Sequence, residues 1–160
     1  MTWRGDIQPN HRIFGALPYL LPILAVIPFG ASLFQTIPVL AVLFSPLFRL
    51  LPLATGMGSL LVFFLLLFLV IRNTRIAHFI RFNTMQALLL DIVVFLAGIL
   101  MQLVASIFAG LPLGLLLQTV ATTVFLGIVG VSLFAVVQSG RGRYAEVPVL
   151  SDAAYTWVRY

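Results

Sequence analysis

The feature that most constrains this chain is the spacing of its charged residues. No charge occurs within residues 13–48, 50–71 or 92–140, and these stretches consist mainly of Leu, Val, Ile and Phe. A soluble domain of this size leaves about 30% of the surface of its unfolded chain in water, so it could not hide so much apolar surface. A helix crosses a bilayer with about 20 mostly apolar residues, and the pattern therefore predicts an all-α integral membrane protein.

We predict a single domain, residues 1–160, built on four membrane-spanning helices. The first contains Pro18, Pro22 and Pro28, each of which removes a backbone donor and favours a bent helix packed against its neighbours. Residues 110–114, with the sequence GLPLG, predict a tight turn before the last helix. The predicted spans are residues 13–34, 53–71, 84–108 and 115–138.

Two segments are predicted to lie outside these spans. Residues 37–52 are apolar but are interrupted by Pro46, Arg49 and Pro52, which favours a segment lying along the membrane surface. A re-entrant loop is the alternative interpretation of the same residues. The tail, residues 139–160, is polar enough to be placed outside the membrane.

The arginines are distributed unequally between the two sides that a four-span topology defines. Only Arg49 falls on one side. The others, in the two tails and in the connection between the second and third spans, are Arg4, Arg12, Arg72, Arg75, Arg81, Arg141, Arg143 and Arg159. Positive residues mark the cytoplasmic side of membrane proteins. We therefore predict that both termini are cytoplasmic, or stromal in a plastid, with Arg72, Arg75, Arg141 and Arg143 as topology anchors.

Composition argues against several classes of function. The chain has no cysteine, and its two histidines, His11 and His78, are far apart in the sequence, so we expect no metal site and no other cofactor. No glycine-rich phosphate loop and no nucleophile–base pair is evident, so we do not expect an enzyme. The net charge of +5 comes from arginines beside apolar spans, which favours lipid headgroups over nucleic acid as partners.

Asp91 is the polar residue that stands out in the predicted spans. An ionised aspartate in the middle of a span costs roughly 2.5–3.5 kcal/mol on insertion scales and rarely faces lipid. At 100° per residue, Gly98 and Gln102 each fall within about 20° of Asp91 on a helix. We predict that this face turns toward protein, with Asn83 and Gln86 one to two turns earlier, as a polar lining or a partner contact. A purely structural role for Asp91 is the alternative.

The fourth predicted span carries a stripe of small and hydroxyl residues. Thr119, Thr123 and Gly127 are spaced four apart, and Gly130 continues the stripe. Such residues let helices approach closely in a membrane. Together with Gly98 on the third span, they predict a helix-packing contact.

Three parts of the sequence resemble one known family. IRNTRIAHFIRFNTMQALLLDI (71–92) carries the most specific match, and LPYLLPILAVIPFG (17–30) and EVPVLSDAAY (146–155) agree with it. The chain resembles the twenty-kilodalton subunit of the translocon at the inner envelope membrane of chloroplasts, with its cyanobacterial relatives. The positions that carry the family signature are Arg81, Phe82, Asn83, Met85, Gln86, Leu89 and Asp91.

The resemblance implies a four-helix membrane protein, with both termini on the stromal or cytoplasmic side, in a protein-conducting or translocation complex. A unit of four helices cannot enclose a wide pore alone, so it would need other membrane subunits or further copies of itself. The sequence lacks the long transit peptide of nucleus-encoded plastid members. A cyanobacterial plasma or thylakoid membrane is therefore expected, or the chloroplast inner envelope if the protein is plastid-encoded.

Two other functions fit the same residues. The chain could be a small scaffold or assembly subunit of a larger membrane complex, such as a photosynthetic one, with the stripe on the fourth span as its contact. A small-solute transporter is the weaker alternative, because the two halves show no internal repeat, which many transporters have.

Overall fold

The computed structural model describes residues 7–158, and every regular element in this range is helical. Arg4 and Arg159, two of the arginines predicted to lie on the cytoplasmic side, fall outside it. The six helices within residues 7–158 are α1 (Pro9–Thr36), α2 (Pro38–Phe48), α3 (Gly56–Ile71), α4 (His78–Ile107), α5 (Gly114–Gly140) and α6 (Leu150–Trp157). A 3₁₀ turn, Leu51–Leu53, connects α2 to α3.

The prolines of α1 interrupt its regular hydrogen bonding as the sequence predicts. Two 3₁₀ turns, Leu17–Tyr19 and Ile27–Gly30, divide the helix, with Pro18 and Pro28 at the second position of each. Proline has no backbone N–H and clashes with the preceding turn, so the helix tightens locally at both places. Pro22 lies in the short α-helical stretch between the two turns.

Within residues 7–158, three helices are long and apolar enough to cross a membrane, namely α1, α4 and α5 with 28, 30 and 27 residues. The predicted second span corresponds to α3, which has 10 residues of α-helix followed by 6 of π-helix. At 1.5 Å per residue, α3 is about 24 Å long, which is shorter than a hydrocarbon core of about 30 Å. The four-span topology and the side of the termini therefore stay predictions.

Two buried apolar clusters lie along α1 and α4, one packed against α5 and the other against the end of α3 and α6. Glycines allow close approach at two points along α1. A Cβ added to Gly15 would lie 2.7 Å from the ring of Phe79 on α4, and one added to Gly30 would lie 2.7 Å from the ring of Phe125 on α5. A Cβ on Gly142, just after α5, would lie 3.0 Å from Nε of Arg12. The starts of α1 and α4 and the end of α5 therefore meet at one end of the bundle.

The C-terminal tail is more structured than its polar composition suggests. Helix α5 continues to Gly140, and α6 then packs against α4. Ser151, Ala154 and Val158 are buried in this contact. Because they are spaced three and four residues apart, they lie on one face of α6, and the polar residues between them face outward.

Candidate functional site

The family-signature residues lie in the first half of α4, which is enclosed by the rest of the protein. Between Arg81 and Asp91 only Leu89 is as much as partly exposed. From Ile92 onward α4 has exposed apolar residues on several sides. The signature therefore marks the part of α4 that the chain itself covers. Its buried members are Arg81, Phe82, Asn83, Met85, Gln86 and Asp91.

Four of the buried polar residues form a cluster that joins three helices. The hydroxyl of Tyr19 on α1 donates toward Oε1 of Gln86 at 2.8 Å and toward Oδ1 of Asn83 at 3.0 Å, both on α4. Ser139 on α5 donates to the same Asn83 oxygen at 3.0 Å, and Asn83 Nδ2 donates to the carbonyl oxygen of Phe79 at 2.8 Å. We call Tyr19, Asn83, Gln86 and Ser139 the polar cluster.

The polar cluster does not use all of its hydrogen-bonding capacity. Gln86 Nε2 is buried without a partner among the described residues, while the single hydroxyl proton of Tyr19 faces two acceptors. Rotating the Gln86 amide by 180° would let Nε2 donate to Tyr19, whose proton would then go to Asn83 alone. Either arrangement leaves the cluster as an internal connection between helices.

Arg81 is placed differently from the other arginines near it. Its place before the third predicted span indicates a membrane-edge residue, but its side chain is buried, and its Nε donates to the carbonyl oxygen of Ile71 at 2.8 Å. Ile71 is the last residue of α3, where backbone carbonyls have no partner within the helix. Arg72, Arg75, Arg141 and Arg143 are exposed, and their role as topology anchors stays a prediction.

An aromatic cluster joins the start of α4 to the tail. It consists of His78, Phe82, Tyr144 and Tyr155, and the rings of Phe82 and Tyr155 are 4.4 Å apart. His78 Nε2 lies 3.2 Å from the carbonyl oxygen of Val158, and Nδ1 lies 3.1 Å from the hydroxyl of Tyr144. A carbonyl can only accept, so Nε2 carries a proton, and the contact between Nδ1 and the Tyr144 hydroxyl can form with either group as the donor.

The second half of α4 borders a groove of about 810 Å³, which lies between α1, α3 and α4. Asp91, Gly98 and Gln102 all line it, as their shared helical face predicts. Phe64 and Phe95 also line it and are 49% and 64% exposed. The groove therefore opens onto the outside of the helix bundle.

Asp91 lies in the lining of this groove but is itself only 6% exposed. Its Oδ1 has no hydrogen-bond partner within residues 7–158. The predicted single polar face of Asn83, Gln86, Asp91 and Gln102 is therefore wrong as one surface. At 100° per residue, Asn83 and Asp91 are about 80° apart around the helix axis. Asn83 and Gln86 therefore point into the bundle, while Asp91 and Gln102 border the groove.

The stripe on α5, formed by Thr119, Thr123, Gly127 and Gly130, faces away from the other helices. Both threonine hydroxyls donate to carbonyls of their own helix at 2.8 Å, and a Cβ on either glycine would meet no atom of another described element within 4 Å. The predicted helix-packing contact is therefore not made with another helix of residues 7–158, and a contact with a partner stays a prediction. Gly98 borders the groove, where an added Cβ would lie 3.6 Å from Phe29.

The face of α5 that does pack within the chain carries other residues. Phe125, Ile128, Ser132 and Ala135 are buried there. Thr122 joins them at the edge, where its hydroxyl lies 3.1 Å from that of Ser32 on α1. The sequence does not indicate which face of α5 is buried, because the helix carries apolar residues on all of its faces.

Comparison with known proteins gives a consistent result. A family model described as "Chloroplast import apparatus Tic20-like" matches residues 7–154. A Tic20 family protein of Synechocystis is 40% identical over 100% of both chains. Protein TIC 20-II of Arabidopsis thaliana is 30% identical over 96% of this chain and 76% of its own. The Tic20 family protein Ycf60 of Porphyra purpurea is 29% identical over 95% of this chain and 77% of its own.

Proposed function

Because the chain belongs to the Tic20 family, we propose that it is a multi-pass membrane subunit of a protein translocation complex, in which the path for the polypeptide lies between this subunit and its neighbours. The filled interior of the bundle is the observation that supports a path between this subunit and its neighbours. Tyr19, Asn83, Gln86 and Ser139 close the space between α1, α4 and α5. A conducting path would therefore run along an outer face of the chain.

The exposed face of α5 is the face that we assign to this path. Thr119, Thr123, Gly127 and Gly130 present small side chains and hydroxyls, in contrast to the large apolar residues exposed elsewhere. Val39, Val42 and Met57 are among the most exposed of those outside α5, and they suit contact with acyl chains or other subunits. A moving polypeptide would meet less steric resistance along the stripe than along rows of Leu and Phe.

Site-specific cross-linking tests this proposal. A photo-reactive residue replaces Thr123, and a matched variant carries it at the exposed Val42 on α2. A secretory precursor with a tightly folded C-terminal domain is arrested during translocation into membrane vesicles that contain the full chain. We expect the arrested precursor to cross-link to position 123 and not to position 42. Translocation that proceeds with no cross-link at position 123 would overturn the assignment of the path.

A scaffold or assembly function is the second candidate, and the same stripe favours it, because small residues also form tight contacts between membrane helices. In that case, position 123 would cross-link to a resident subunit, whether or not a precursor is arrested. The same experiment therefore separates the two functions.

The membrane topology forms part of the proposal. We place four spans in the membrane, including the short α3, with both termini on the cytoplasmic or stromal side of a cyanobacterial membrane or a chloroplast inner envelope. Because the chain has no cysteine, single cysteines at Arg75, Arg141 and Arg49 can be labelled with a membrane-impermeant maleimide. We expect positions 75 and 141 to react from the cytoplasmic side and position 49 from the opposite side. Labelling of positions 75 and 141 from opposite sides would rule out this topology.

A further inference from the structure

The groove beside α4 has the shape and lining of a site for another helix. Its floor is formed by small residues, including Ala25 on α1, Ala54 before α3 and Gly98 on α4, which make the groove deep. The aromatic rings of Phe63 and Phe95 flank it. A helix with its side chains is about 10 Å across, so a volume of 810 Å³ holds about two of its turns. Small residues at such a floor allow the backbone of a second helix to come close.

Asp91 gives this apolar groove one specific chemical requirement. The residue lies near the midpoint of the 30-residue α4, about 20 Å from its start. It is almost fully buried, and Oδ1 has no partner among the described residues. Buried acids in membrane proteins pair with a basic group or with hydrogen-bond donors, because an isolated charge is costly away from water.

We propose that the groove is the docking site for one transmembrane helix of another membrane subunit, apolar along its length and carrying a single Arg or Lys at the level of Asp91. A lipid acyl chain would fill the apolar volume but leave the carboxyl without a partner. A basic side chain near the middle of a helix meets both requirements, since its aliphatic stem suits the apolar lining and its head group reaches the acid. This inference goes beyond the proposed function, because it holds for a translocation subunit and for a scaffold alike.

Model peptides test the charge requirement directly. The full chain is reconstituted in phosphatidylcholine vesicles with fluorescent peptides of about 23 residues, made of Leu and Ala with Lys, Leu or Glu at the centre. Binding is followed by energy transfer from a donor attached near the groove. We expect the Lys peptide to bind at least tenfold more tightly than the Leu peptide, and the Glu peptide to bind most weakly. Equal binding of the Lys and Leu peptides would overturn the proposal.

Three variants locate the effect. Asp91→Asn and Asp91→Leu should remove most or all of the preference for Lys, and a preference that persists in Asp91→Leu contradicts the proposal. Gly98→Leu keeps the acid but fills the floor of the groove, and it should weaken the binding of every peptide. If both Asp91 variants fail to fold, as judged by circular dichroism in detergent, Gly98→Leu still tests the proposal. Unchanged Lys-peptide binding in that variant would show that the peptide does not bind in the groove.

Cross-linking in native membranes identifies the occupant. A photo-reactive residue at Phe95 should label a transmembrane helix of a resident subunit that has one central Arg or Lys, with or without an arrested precursor. Labelling of lipid alone, or of a helix without a basic residue, would overturn the inference. Failure here is distinguishable from failure of the proposed function, which is read at position 123 on α5.

Discussion

Nε of Arg81 on α4 donates a hydrogen bond of 2.8 Å to the carbonyl oxygen of Ile71, the last residue of α3. The two residues are ten positions apart, so the contact closes the connection between the two helices. A cation at the C-terminus of a helix satisfies an otherwise unpaired carbonyl and interacts favourably with the helix dipole. Since α3 forms one side of the groove, we infer that Arg81 fixes how far apart the two sides lie.

The first prediction concerns this contact. Arg81→Leu leaves the Ile71 carbonyl without its buried donor, and such a loss typically costs about 1–3 kcal/mol. We expect a lower unfolding temperature in detergent and a broader separation between α3 and α4. The separation can be measured by double electron–electron resonance between spin labels on cysteines introduced at Leu60 and Ile99, because the natural chain has no cysteine.

Arg75→Leu is the matched control for Arg81. It removes the same charge from the same connection, but Arg75 is exposed, so the unfolding temperature and the spin-label distances should stay unchanged. If both variants behave alike, the effect comes from the charge alone and the contact with Ile71 has no special part in it.

Much of the architecture could be predicted from local features of the sequence. The prolines of α1, the apolar length of α4 and α5, and the shared face of Asp91, Gly98 and Gln102 all depend on residues that are close in the chain. The family resemblance, read from residues 71–92, is confirmed by the match over residues 7–154. These features could be predicted because helix geometry alone relates sequence spacing to position on a face.

The features that the sequence did not reveal depend on distant contacts. Asn83 and Gln86 resemble membrane-edge residues, yet Tyr19 and Ser139, more than 50 positions away, enclose them. The packed face of α5 was also missed. In lipid, the outward face of a helix is as apolar as the inward face, so α5 lacks the contrast that identifies the buried side of a soluble helix.

The second prediction tests the polar cluster. Tyr19→Phe keeps the ring but removes the hydroxyl that donates toward Asn83 and Gln86, leaving buried acceptors with less hydrogen bonding. We expect a loss of about 1–2 kcal/mol in the free energy of unfolding, measured by denaturant titration in detergent. Thr123→Val is the control, because its hydroxyl bonds only to its own helix on the exposed side of α5. A loss equal to that of the control would mean that the cluster adds no stability.

The third prediction compares two glycines. An added Cβ at Gly30 would lie 2.7 Å from the ring of Phe125, whereas one at Gly127 would meet no other part of residues 7–158 within 4 Å. Gly30→Ala should therefore force α1 and α5 apart and cost about 1–3 kcal/mol. Gly127→Ala should leave the stability of the isolated chain unchanged or slightly higher, since alanine favours helix. Equal unfolding temperatures for the two variants would argue against the close packing of α1 on α5.

The last prediction concerns the attachment of α6. The ring of Tyr155 lies 4.4 Å from that of Phe82 on α4, and this aromatic contact joins the tail to the bundle together with the buried Ala154 and Val158. Tyr155→Ala should detach α6 part of the time, so a protease added to the detergent-solubilised protein should cut residues 141–149 several times faster. Trp157→Ala removes an aromatic ring of similar size from the same helix, but Trp157 is 70% exposed, so its cleavage rate should match that of the unchanged chain. Equal acceleration in both variants would indicate that any loss of aromatic surface loosens α6, and that its contact with Phe82 is not what attaches it.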